Sequence, residues 1–213
     1  MKSQVYEMDG KSYPNYAFVS YSHKDERWAR WLQRRLENYR LPSVIRKEAP
    51  LLPKRLRPVF LDKSDIGVGV LAEELHKELE DSQFLIVICS PNSARPNADG
   101  KHFVNHETES FIQLGRSERI IPFIIEGEVN ASVPERECYC PALRNLGNQT
   151  LLGASVLELG KERAFVNIVA RILNLKFDAL WQRHLRRQRH NRILVLGTVA
   201  GLCVVAATAG YSI

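Results

Sequence analysis

Cysteine is scarce in this chain, and its four copies, Cys89, Cys138, Cys140 and Cys203, do not stand at metal-ligand spacing. The Cys138/Cys140 pair has neither a second pair nor a histidine at finger distance. No structural zinc and no other metal is therefore expected, and the thiols read as reduced groups of a cytosolic domain. No G-x-G-x-x-G follows a strand-like run, and G-x-x-x-x-G-K-[ST] is missing too; "DIGVG" (Asp65–Gly69) has two glycines but no Lys-Ser/Thr. These gaps exclude the dinucleotide fingerprint and the phosphate loop. Without a G-x-S-x-G elbow there is no hydrolase nucleophile of that type. The opening "MKSQVYEMDG" has no apolar run, so no secretory leader is expected.

Hydrophobic residues make up 45% and charged residues 25%, a globular rather than disordered balance. The net charge is +6, which by itself would suit nucleic acid or an anionic membrane surface. Its location decides between them. Arg183, Arg186, Arg187, Arg189 and Arg192 crowd one stretch, and no aromatics are interleaved among them, so nucleic acid is not expected. Directly after them, "ILVLGTVAGLCVVAATAGYSI" carries no charge and has about the 20 residues needed to span a bilayer. Gly197 and Gly201 add a small-xxx-small face. The expectation is a single transmembrane helix over 193–213 with the preceding domain on the cytoplasmic side, by the positive-inside rule. In a bacterium that would be the inner membrane. The span reads equally as a tail anchor or as the middle of a longer protein.

The rest alternates between short apolar runs and helical stripes. Strands are expected at Tyr16–Tyr21, Arg57–Leu61, Phe84–Cys89, Ile120–Ile125 and, most weakly, Ser155–Leu159. Continuous apolar runs suit parallel strands covered on both faces. Pro122 sits awkwardly in the fourth run, since proline removes a ladder donor. Trp28, Trp31, Leu32, Leu36 and Tyr39 mark one helix, with Asp25 as its N-cap. Leu71, Leu75 and Leu79 mark a second; Val104, Thr108, Phe111 and Gly115 a third; Phe165, Ile168, Val169 and Ile172 a fourth. The irregular stretch 127–153 has room for a surface insertion or a short helix. The organisation reads as an N-terminal extension (1–14), an α/β domain (15–175), a basic helical linker (176–192) and the span (193–213). An eight-fold barrel takes about 250 residues, too many for this domain. An open parallel sheet of order 2-1-3-4-5 with helices on both faces is expected, and ligands of such sheets bind at the carboxyl ends of strands one and three. A phosphate-accepting receiver shares that order but needs acids after strand one, where this chain has Ser20, Tyr21 and Ser22.

Three stretches now stand on the right elements: "YAFVSYSHKDERWARWL", "RPVFLDKSDIGVGV" and "SPNSARPNADGKHFVNHETES". Together, over about Tyr16 to Leu173, they resemble the Toll/interleukin-1 receptor (TIR) domain in its bacterial form, a flavodoxin-like fold. Phe103 stands where the family more often has tryptophan, and the loop before it is somewhat long. The resemblance implies cleavage of NAD+ between nicotinamide and ribose, with NAD+ as substrate and no separate cofactor. Glu107 is implied as the catalytic carboxylate. Such cleavage passes through an oxocarbenium-like state, and a carboxylate beside the ribose would stabilise its charge. Positions 103 and 107 are one helical turn apart, so a ring at Phe103 and the carboxylate at Glu107 are expected on one face. Glu109, roughly 200 degrees around the helix, reads as solvated. Ser20, Tyr21 and Ser22 are candidates for binding ribose or phosphate. Asp62 and Asp65 either touch substrate or order the second-strand loop, which Gly67 and Gly69 make mobile. The expected role is a membrane-anchored signalling or anti-phage effector activated by self-association. The alternative is a non-catalytic scaffold that binds other TIR domains.

Overall fold

The computed structural model describes residues 6–8, 11–48, 52, 55–61, 70–147 and 153–186. Two short strands open it, β1 (Tyr6–Met8) and β2 (Lys11–Tyr13), paired antiparallel with Tyr6 opposite Tyr13. The expected N-terminal extension thus contains a hairpin. The main sheet has five parallel strands: β3 (Asn15–Ser20), β4 (Val59–Leu61), β5 (Ser82–Cys89), β6 (Ile120–Ile124) and β7 (Ala154–Ser155). Their spatial order is β4-β3-β5-β6-β7. Counted within the sheet, that is the expected 2-1-3-4-5.

Both faces of the sheet are covered, as the unbroken apolar runs require. Along β5 the side chains alternate between two cores. Phe84, Ile86 and Ile88 join α1 (Glu26–Asn38) and α7 (Lys161–Ile172) on one face. Leu85, Val87 and Cys89 join α3 (Val70–Glu80), α4 (Phe103–Gln113) and α5 (Pro141–Asn145) on the other. The short α2 (Ser43–Glu48) adds Ile45 to the first core. In the same core Phe123 of β6 stacks on Trp31 at 6.2 Å and meets Trp28 edge-on at 5.9 Å.

Pro122 is tolerated for a reason of register. The Ile125 N–H donates to the Cys89 carbonyl (3.0 Å), so odd-numbered residues of this run direct their backbone groups to β5. The nitrogen of Pro122 therefore faces the β7 side, where pairing starts only at Phe123. Among the described residues, no strand pairs with β6 on that side at that position.

The fifth strand is shorter than expected. Among the described residues only Ala154 and Ser155 pair with β6, and Val156–Leu159 turn into a helix, α6. Ser155 accepts from the Glu158 N–H (3.2 Å), a serine N-cap with Glu at the third helical position. That local signal outcompetes the alternating pattern of "SVLEL". The stretch 127–153 does hold a short helix, α5, opened by Pro141 at its first position.

Residues 177–186 form a helix, α8, that packs on the domain. Leu180 is fully buried, and Phe177, Trp181 and His184 continue a stacked row to Tyr39. The spacing 177, 180, 181, 184 is one helical face, and its large rings suffice to dock it. The span expected over 193–213 lies outside the described residues. Among those that are described, no helix is long and apolar enough to cross a membrane.

Candidate functional site

The carboxyl ends of β3 and β5 open on a cleft of about 500 Å3. One wall is the turn after β3, with Tyr21, Ser22 and Lys24, continued by Glu26 and Arg30 from the first turns of α1. The other is the loop after β5, with Asn92, Arg95 and Lys101, ending in Phe103. Arg30 is neutralised by Glu26, four residues before it, at 2.5 Å. Lys24, Arg95 and Lys101 remain against a single acid, Asp99. The cleft is therefore cationic, and low-dielectric walls concentrate its field. Phe103 is 40% exposed, and the Lys101 ammonium lies 5.9 Å from its ring centre. An exposed ring beside these cations suits a flat base joined to a phosphate-bearing group.

The expected residues are distributed unevenly. Tyr21, Ser22 and Phe103 line the cleft, whereas Ser20 is fully buried at the end of β3. Its hydroxyl has no hydrogen-bond partner among the described residues. Asp62 and Asp65, with Gly67 and Gly69, lie outside the described residues. Glu107 is only 4% exposed and is not among the cleft-lining side chains. The single shared face expected for Phe103 and Glu107 is thus split. Phe103 is the first residue of α4, and helical side chains lean toward the N-terminus, which carries its ring out over the loop. Glu107 lies one turn in, with Val104, Thr108 and Phe111 on the buried stripe. Carboxylates this buried are uncommon. Glu109 is exposed and accepts from the Asn105 side chain at 2.8 Å, and His106 is exposed as well.

Sequence reasoning missed what joins the two walls. Asp25 occupies the N-cap position of α1, but its side chain caps nothing. It is 5% exposed and accepts from Ser90 Oγ (2.5 Å) and Asn92 Nδ2 (3.1 Å) across the cleft floor. The second wall is braced internally by Asn97, whose Oδ1 accepts from the N–H groups of Asp99 (3.0 Å) and Lys101 (2.9 Å). Ser, Asn and Asp in "SPNSARPNADG" were the available signal, because these side chains bond nearby backbone in turns.

Behind this wall, Arg95 donates to the Pro134 carbonyl at 2.9 Å. Gly127 lets the 127–137 segment close in: its φ is +87°, and a Cβ there would sit 2.6 Å from the Arg136 carbonyl. The thiols of Cys89, Cys138 and Cys140 are buried and free under α4. Burial pushes all three above their ordinary range, Cys138 to about 12. They are inert neutral groups at physiological pH. Among the described residues, no group of three or more His, Cys, Asp or Glu side chains is placed to hold a metal ion.

Against known proteins, a family model described as TIR domain matches residues 17–147. Curated proteins give no match. Among solved structures, the TIR domains of the activated Roq1 resistosome, which recognises the pathogen effector XopQ, share 14% identity with this chain. The alignment covers 81% of this chain and 98% of that one, with a TM-score of 0.38.

Proposed function

The chain belongs to the TIR domain family, and from that premise we propose that it is an NAD+ glycohydrolase serving signalling or defence. The observation that carries this reading is the cleft at the β3/β5 switch, with the exposed Phe103 ring beside Lys24, Arg95 and Lys101. Phe103 covers a flat base, and the cations bind the diphosphate. Tyr21 and Ser22 supply hydroxyls to ribose or phosphate. Nicotinamide is a cationic leaving group and departs as a neutral molecule without needing an acid. Water then adds to the ribose carbon and loses a proton, so NAD+ and water give ADP-ribose, nicotinamide and a proton. Glu107 stabilises the positive charge that develops on the ribose. At 4% exposure it must gain access as the sugar enters. Self-association of TIR domains, favoured by anchoring through 193–213 at the cytoplasmic face of a membrane, would raise activity.

The burial of Glu107 favours a second reading, a TIR scaffold that binds other TIR domains and turns nothing over. One experiment separates them. The full chain is incubated with NAD+, and nicotinamide and the sugar product are identified. Release by the wild type, lost in Glu107→Ala with the circular dichroism unchanged, supports the enzyme. Equal release by both proteins removes Glu107 from the chemistry, and no release by the wild type leaves the scaffold. The identity of the sugar product distinguishes hydrolysis from cyclisation.

A further inference from the structure

We propose that Asp25 is a positioning residue, locking the loop after β5 to the turn after β3 and so setting the width of the cleft. The inference rests on the NAD+ reading for its effect on turnover, but its geometry stands apart from it.

Asp25 starts a 13-residue helix and yet makes no cap, forgoing an interaction usually worth about 1 kcal/mol. Its carboxylate is spent on two partners more than sixty positions away, Ser90 Oγ and Asn92 Nδ2. Hydrogen bonds to a carboxylate are roughly twice as strong as neutral ones. From Ser90 the connection runs on through the loop. Ser90 Oγ accepts from the N–H groups of Asn92 (3.1 Å) and Ser93 (3.2 Å). The Ser93 hydroxyl accepts from the Ser90 N–H (2.9 Å) and donates to the Ser90 carbonyl (3.0 Å). The Ser93 carbonyl meets His102 Nε2 at 3.1 Å. His102 is the N-cap position of α4 and directly precedes Phe103. One buried carboxylate thereby governs where the ring of the far wall stands, without lining the cleft itself. Asp25 touches no substrate. It acts through Phe103 and Asn92, so its loss weakens binding more than it slows the chemical step.

The test uses the full chain and the variants Asp25→Asn, Ser90→Ala and their combination. Hydrogen–deuterium exchange is followed over 91–102 without ligand, and kcat and KM are measured for NAD+. Expected are about tenfold faster exchange confined to 91–102 and a KM raised about tenfold with kcat within about twofold. The double variant should be no worse than the stronger single, as members of one connected network are not additive. Unchanged exchange at 91–102, or exchange raised equally through the whole domain, overturns the proposal. If Asp25→Asn does not fold, Ser90→Ala alone carries the same two expectations. A wild type that releases no nicotinamide sinks the NAD+ reading, while the exchange pattern still decides the role of Asp25.

Discussion

Replacing Phe123 with alanine tests the packing that holds the first wall of the cleft. Phe123 is fully buried on β6 and contacts two indoles of α1, Trp31 face to face and Trp28 edge-on. The first turns of that helix deliver Glu26 and Arg30 to the cleft. Truncating a buried phenylalanine costs about 3–5 kcal/mol through lost transfer energy and the cavity left behind. The upper half of that range applies, because two aromatic pairs, each worth roughly 0.5–1.5 kcal/mol beyond area, are lost together. With a urea slope of about 2 kcal/mol per M, the midpoint should fall by roughly 2 M. Trp28 and Trp31 report the transition by fluorescence. Phe123→Leu keeps more of the volume but loses both aromatic pairs, and should cost about 1–3 kcal/mol, less than alanine. An alanine variant within about 1 kcal/mol of wild type would show that this aromatic cluster is not what fastens α1 to the sheet.

Other outcomes follow from the same structure. Ser155→Ala removes the cap of α6 and should destabilise by about 1 kcal/mol in urea titration, with the cleft untouched. The raised thiols make stability depend on alkaline pH. Folded Cys138 holds its proton to about 12 against an ordinary 9.0, so the unfolded chain binds fewer protons between those values and stability falls as pH rises through that window. The slope is at most about 1.4 kcal/mol per pH unit for that thiol. Cys138→Ala should flatten the profile relative to wild type, and identical slopes would contradict the burial argument. Lys24→Glu with Lys101→Glu reverses the field of the cleft. It should raise the KM for NAD+ at least about tenfold in low salt, and less at high salt as screening takes over. An unchanged KM would place the diphosphate elsewhere.

The sheet was legible because its signals are local. Runs such as Phe84–Cys89 and Ile120–Ile125 are apolar on both faces, and only a parallel sheet covered twice accommodates them. Glu109 as a solvated acid followed from helical geometry alone. The fifth strand was misread where two local signals competed: in "SVLEL" a capping serine with its Glu overrode strand alternation. The linker is helical over 177–186 as expected, and its row of rings docks it on the domain.

Membership of the family, the order of the strands and the address of the cleft were thus determined by the sequence, since each depends on period, spacing and motif order along the chain. Tertiary structure decided which acids meet what. Asp25 looked like a cap and is instead the bridge between two loops, because its partners lie more than sixty residues away. Glu107 looked like the neighbour of Phe103 on an open face and is instead buried. A helical turn fixes how far apart two side chains stand, but only the packing of the helix on the sheet fixes which of them reaches solvent.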